Sequence, residues 1–323
     1  MEIIIDNLNG KLWDISQIVT EAKIKTSRIG KAGSLEVTFL QSGLYQDKAF
    51  TVEPGNLIRA THDGQPVFLG YIFTIDSGSD GEVKITAYDQ LRYLMANDTM
   101  VIQGMTVADV IRRLASKMQL KVGSLADTGF KIVKLVEDNK RMMDMICDAL
   151  DQTTIGTGQT YVFYDAAGSL ALKTLADMRL PLQIGDGSLV YEYSQSRSID
   201  SDTYNQVLLA QDNKKTGKRE LYVAKDSSTI AKWGLLQLYQ TVDEQMNEAQ
   251  INQALNNLIV LKNREQRTFK VSAIGDIRVR AGSSLYIAIA EVGKQQLHLI
   301  DECTHTFDGG DHTMELELRV YDV

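Results

Sequence analysis

The sequence predicts a mainly β protein with an α+β insertion: two similar small β-barrel domains flanking a middle α+β domain. Three observations predict it. Runs that alternate polar and apolar residues, bounded by Gly, Asp and Pro turns, fill both ends of the chain. Helical three- and four-residue spacing is confined to the middle and to one stretch near 241–263. A pattern close to the end of the first β region recurs at the end of the last.

The first domain covers 1–95. Glu36-Val-Thr-Phe39, Val67-Phe-Leu-Gly-Tyr-Ile-Phe73 and Glu82-Val-Lys-Ile-Thr-Ala-Tyr88 read as strands. His62-Asp-Gly-Gln-Pro66 and Ser77-Gly-Ser-Asp-Gly81 supply the reversals between them. The middle domain, 96–180, changes period. Thr106 and Asp109 form a capping pair ahead of Val107, Val110, Ile111, Leu114 and Met118, which share one helical face. A second helix is predicted over 138–151 from Met142, Met145, Ile146 and Ala149, with Asp144 and Asp148 opposite; at that spacing the methionines are core rather than a binding face. Tyr161-Val-Phe-Tyr164 and Leu170-Ala-Leu172, joined by Asp165-Ala-Ala-Gly168, make a hairpin.

The last domain, 181–323, returns to strands at Asn205–Ala210, Glu220–Val223, Thr268–Val271, Ser284–Ile289, Gln296–Ile300 and Thr313–Leu318. An external helix is expected near 241–263, opened by a Thr241–Glu244 capping box and burying Ile251, Leu255 and Leu258.

Val52-Glu-Pro-Gly-Asn-Leu57 matches Val279-Arg-Ala-Gly-Ser-Ser-Leu285, and each half closes on Tyr-Asp, at Tyr88-Asp89 and Tyr321-Asp322. Shared turn chemistry between any two β domains accounts for this equally well. The sharper reading is a duplicated barrel. Three chains with two barrels each would then present six, matching a hexameric partner through closed symmetry.

Charge narrows the function classes. The 323 residues carry 34 Lys+Arg against 42 Asp+Glu, a net −8, which does not suit a protein built to grip nucleic-acid phosphates. No sequence-specific nucleic-acid binding is expected. With 44% hydrophobic and 24% charged residues the chain folds as an ordinary globular protein. Its longest apolar run, Leu285–Ala290, is far short of the ~20 residues a membrane helix needs, and Met1-Glu-Ile-Ile-Ile-Asp lacks the basic start of a signal peptide. Synthesis in the bacterial cytoplasm is the expectation. Cys147 and Cys303 read as reduced, packed thiols.

Chemistry-bearing motifs are sparse. Gly156-Thr-Gly158 lacks the third glycine of a dinucleotide loop, and Gly217-Lys218 lacks the rest of a phosphate loop. His305, Asp308, Asp311 and His312 could be imagined around a metal, but Phe307-Asp-Gly-Gly-Asp-His312 has the residues of a hairpin turn, so no metal is assigned. Lys214-Lys-Thr-Gly-Lys-Arg219 reads as a solvated hairpin tip. Trp13 and Trp233 default to packing. No catalytic or cofactor-binding residue stands out, although an acid pair assembled only in three dimensions would escape notice.

Pro66-Val-Phe-Leu-Gly-Tyr-Ile72, Thr86-Ala-Tyr-Asp89 with Leu94, Ser198-Ile-Asp-Ser-Asp-Thr-Tyr-Asn-Gln-Val207, Trp233-Gly-Leu-Leu-Gln237, Arg278-Val-Arg-Ala-Gly282 and His305–Met314 stand in an order that carries a resemblance. The chain resembles the hub proteins of contractile phage tails, of the PBSX-like defective-phage and tail-like bacteriocin type; that pattern more often has Tyr where Trp233 stands. The resemblance implies a non-enzymatic homotrimer, incorporated in a phage tail or tail-like particle, whose two barrels per chain form a pseudo-sixfold ring. Such a ring would dock on the tail tube protein, hold a trimeric spike or tip protein, and contact other baseplate proteins. An acidic channel wall would repel passing DNA. The alternatives are a cell-wall glycan hydrolase or carbohydrate-binding protein, and a spike-type component of a contractile secretion system.

Overall fold

The computed structural model describes residues 1–41, 47, 49–79, 81–186, 188–200, 202–213, 217–242, 246–290 and 293–320. Contacts divide the chain into two compact units, 1–194 with 270–323, and 195–269.

The larger unit opens with seven strands: β1 (Glu2–Asp6), β2 (Leu12–Asp14), β3 (Val19–Ser27), β4 (Ser34–Leu40), β5 (Leu57–His62), β6 (Gln65–Ser77) and β7 (Glu82–Tyr88). Their alternation is visible in burial, with Leu35, Val37 and Phe39 inward on β4 and Val83, Ile85 and Ala87 inward on β7. The β5–β6 turn places Asp63 and Gly64 at positive φ, as the hairpin chemistry of His62–Pro66 requires. Asp80 of the next reversal lies outside the described residues.

The middle of the unit holds β8 (Asn97–Ile102), α1 (Val107–Lys117), β9 (Val122–Leu125), β10 (Leu135–Arg141), α2 (Met142–Thr157), β11 (Tyr161–Asp165) and β12 (Leu170–Thr174). The Thr106–Asp109 capping box forms in both directions. The second helix starts later than its periodicity suggests, because residues 135–141 pair with β8 and their polar side chains hide a strand. Met142, Met143 and Met145 are all buried in this core, and the 161–174 hairpin forms as read.

Strands β13 (Arg179–Gly185) and β14 (Val190–Ser198) precede the smaller unit. That unit contains β15 (Gln206–Asn213), β16 (Lys218–Lys225), α3 (Ser227–Trp233), β17 (Gln237–Val242) and α4 (Glu248–Lys262). Helix α4 is capped by Asn247 and Gln250, not by Thr241, which belongs to β17; Asp243 and Glu244 lie outside the described residues. The β17 strand takes Thr241 because a strand partner in β15 outcompetes a local cap. Ile251 and Leu255 are buried and Leu258 half-buried, as the spacing demands.

The chain then returns through β18 (Gln266–Ile274), β19 (Ser284–Ile289), β20 (Lys294–Asp308) and β21 (Asp311–Val320). Among the described residues one 13-stranded sheet runs β14-β18-β21-β20-β3-β4-β7-β6-β5-β1-β2, with β19 also on β20 and β13 on β19. The two terminal β regions are therefore one sheet, joined through β3 and β20.

Candidate functional site

The seam between the terminal β regions pairs β3 with β20 antiparallel, from Ser27 opposite Glu302 to Glu21 opposite Asp308. Side chains staple it. Arg28 Nε donates across it to Asp301 Oδ1 at 2.7 Å, while Arg319 Nε of the adjoining β21 holds the same carboxylate at Oδ2, 2.9 Å away. Lys31 and Lys25 reach Glu302 at 2.7 and 3.0 Å, and these cations hold its carboxyl down at about 2.

Beside the seam lies a cleft of about 260 Å³ whose walls come from the first β region (Thr26, Asp89), the middle (Tyr164, Asp165) and the last β region (Arg280, His305). Asp89 is the N-cap of the 3₁₀ turn Gln90–Met95; its oxygens accept the N–H groups of Leu91 and Gly33, each at 2.9 Å. Asp165 closes the β11–β12 hairpin by accepting the Gly168 N–H at 2.6 Å, and accepts the Gln90 amide at 2.8 Å. Gln90 in turn accepts the Lys121 N–H at 2.8 Å. The Arg280 guanidinium lies 3.9 Å from the centre of the Tyr164 ring and donates twice to the Asp165 carbonyl at 3.3 Å.

Two acids, Asp89 and Asp165, and one cation, Arg280, share this buried space. Burial and the neighbouring Asp165 push Asp89 up to about 8, overcoming its two backbone donors; burial also raises Asp165. A raised acid in a cleft is also a mark of catalysis. Here both oxygens of Asp89 are engaged by the fold, which suits a clamp between three parts of the chain rather than an acid offered to a substrate.

Next to the clamp sits an imidazole cluster. His305 Nε2 donates to the Val279 carbonyl at 2.7 Å, which leaves its Nδ1 to accept from His312 Nε2 at 2.9 Å. His312 stacks on Phe307 with ring centres 4.1 Å apart, and His62 from the β5–β6 turn approaches His312 at 5.3 Å. Burial lowers both His305 and His312, the latter to about 4, so both rings are neutral near pH 7.

Of the residues imagined around a metal, the structure joins His305 to His312 but leaves Asp308 and Asp311 facing each other at the exposed end of the β20–β21 hairpin. Among the described residues no three His, Cys, Asp or Glu side chains are placed to hold a metal ion. The hairpin turn is what the Asp-Gly-Gly-Asp sequence makes. Cys303, pushed up to about 12, and Cys147, pushed up to about 11, are unbridged thiols. Trp13 packs edge-on to Phe50 and donates to Asn7, and Trp233 ends α3 under Lys232. Of the basic cluster, Lys218 and Arg219 open β16 after the turn residue Gly217; Lys214, Lys215 and Thr216 lie outside the described residues. Asp89, Asp165 and Arg280 each lie within a sequence motif already singled out, but only the tertiary fold shows that they meet.

The sequence from 22 to 319 matches the family model described as YqbQ-like. The chain belongs to the YqbQ-like family. Two relatives from Bacillus subtilis (strain 168) each align over 272 residues, 83% of this chain and 82% of the relative: the uncharacterised protein YqbQ at 33% identity and the phage-like element PBSX protein XkdQ at 32%. In fold, the chain is similar to the 43 kDa tail protein of prophage MuSo2 from Shewanella oneidensis, with a TM-score of 0.72 at 13% identity, covering 99% of this chain and 98% of that one. It is also similar to the E. coli c3393 protein, a type VI secretion component described as resembling the T4 tail proteins gp27 and gp5, with a TM-score of 0.58 at 10% identity over 100% of this chain and 77% of that one. In fold, this YqbQ-like chain is mainly β and similar to phage tail proteins.

Proposed function

We propose that this YqbQ-like protein is the hub at the distal end of a contractile phage tail or tail-like particle, a homotrimer that adapts a hexameric tube to a trimeric spike. The observation that carries this reading is a repeat in the backbone. In the first β region the sheet runs β3-β4-β7-β6-β5, and in the last β14-β18-β21-β20-β19. At the start of the repeated hairpin, Gly55 donates to the Ile72 carbonyl and Ile72 to that of Asn56; Gly282 donates to the Ile300 carbonyl and Ile300 to that of Ser283. Both glycines have positive φ, at +93° and +88°. The pairing then slips after Ile72 on β6–β7 and after Ile300 on β20–β21. Matching order, turn and bulge support two copies of one barrel module, at 1–95 and within 181–323, with 96–180 between them. Tyr321 and Asp322 of the echo lie outside the described residues. The outermost neighbours differ, since β1 joins β5 antiparallel and β13 joins β19 parallel.

In this reading the protein performs no covalent chemistry, and its work is assembly and force transmission. The outer sheet edges would be covered by neighbouring subunits, because free edges invite uncontrolled pairing. Mixing the purified protein with tube protein and measuring mass in solution tests the reading: a trimer that caps tube ends supports it. A monomer with no affinity for tube ends refutes it. Clearing of cell walls in a zymogram would favour the hydrolase alternative.

A further inference from the structure

The smaller unit has a sheet face that its own helix leaves bare. Register fixes which residues lie there. Val207 and Leu209 of β15, Tyr222 and Ala224 of β16 and Leu238 of β17 pack with Ile251 and Leu255 of α4. The opposite face is made of four rows: Lys225, Gln206 and Gln237; Val223, Leu208 and Tyr239; Leu221, Ala210 and Thr241; Arg219 and Asp212. Its apolar residues on the two flanking strands are open, with Leu221 57%, Val223 51% and Tyr239 47% exposed, while on β15 between them Leu208 is half-buried and Ala210 buried. Its two ends are polar: Arg219 forms a two-pronged pair with Asp212 at 2.6 and 2.8 Å and reaches the Tyr239 hydroxyl, while Gln206 bonds Gln237 at 2.7 Å. An apolar centre inside a polar rim is the anatomy of a protein interface.

Charge indicates the occupant. Residues 195–269 carry ten Lys and Arg against nine Asp and Glu, +1, which leaves −9 of the chain's −8 to the larger unit. On the bare face Arg219 and Asp212 cancel, and Lys225 sets the sign. Two such faces meeting each other would set like charges together. They would also bury only about 300 Å² per copy, given the ~4.8 Å strand spacing and ~3.4 Å rise, against roughly 800 Å² per partner for a stable interface. An acidic surface on a partner held by further contacts removes both difficulties.

We propose that the face centred on Leu221, Val223 and Tyr239 docks on the acidic larger unit of a neighbouring copy of this chain. The contact is head-to-tail, so each copy offers the face to one neighbour and receives it from the other, and the arrangement closes as a ring. This rests on the homotrimer reading above and deepens it by naming the subunit contact.

The test places a photo-crosslinking residue at Val223 of the full-length protein, mixes it with an isotope-labelled copy, and maps the crosslinks. In parallel, the assembly constant of the L221D/V223D variant is measured at low and high salt. The expected result is crosslinks from position 223 to labelled peptides within 1–194 or 270–323, assembly weakened at least about tenfold in the variant, and wild-type assembly weakened by salt. An unchanged circular dichroism spectrum and melting point show that the variant folds. Crosslinks to labelled peptides of 195–269, crosslinks confined to other baseplate proteins in the particle, or a variant that assembles normally would each overturn the docking proposal and leave the hub reading standing. A wild-type protein that never self-associates would overturn both.

Discussion

Arg280 is the residue on which the junction turns. It faces Asp165 from its seat on the Tyr164 ring and offsets the burial of that acid, so removing it takes away the counter-charge. Arg280→Met is expected to cost about 3 kcal/mol of stability, readable as a lower denaturant midpoint at pH 7. Lowering the pH should recover part of that loss in the variant by protonating Asp165. The imidazole pair gives a separate signature. Because His305 and His312 have folded pKa values below their ordinary 6.5, the unfolded chain binds protons first, and stability falls as the pH drops from about 6.5 towards 4. His312→Gln should flatten this limb of a melting-temperature profile. An unaltered limb would mean that other groups control it.

At the scale of elements, two glycines distinguish a turn from a turn that is also a contact. Both Gly55 and Gly282 have positive φ, but a Cβ on Gly55 meets nothing within 4 Å, whereas on Gly282 it would lie 2.4 Å from Val162 Cγ1 of β11. Gly55→Ala is expected to cost about 1 kcal/mol, and Gly282→Ala roughly 2–3 kcal/mol, measured by chemical denaturation. Equal losses would contradict the packing of the middle module on the second turn. Thr106→Ala should remove about 1 kcal/mol by breaking the α1 capping box. The α1 cap, the 62–66 turn and the 161–174 hairpin were legible because local residues alone determine them. The strand at 135–141 was not, since Glu137, Asp138, Asn139, Lys140 and Arg141 carry no alternation and owe their conformation to β8. The α4 start at Asn247 was hidden likewise, because Thr241 offers a plausible cap yet belongs to a strand whose partner is over thirty residues away.

For the whole molecule, the central finding is that the two β regions share one sheet while repeating each other's strand order and glycine turn. The echo of Gly55 in Gly282 could be read from sequence. The β3–β20 seam could not, because strand partners nearly 300 residues apart leave no local trace, and neither could the Asp89–Asp165–Arg280 clamp built across it. A stapled seam within one chain fixes the spacing of its two β regions, which is the rigidity a ring requires if three chains are to imitate six. The most direct test is an electron cryomicroscopy reconstruction of the assembled protein with no symmetry imposed. The account predicts three chains with six β modules at near-equal 60° steps around a central channel, residues 1–95 and the 181–323 module alternating. A particle in which those modules lie at different radii, or in which the chain count is not three, would contradict it.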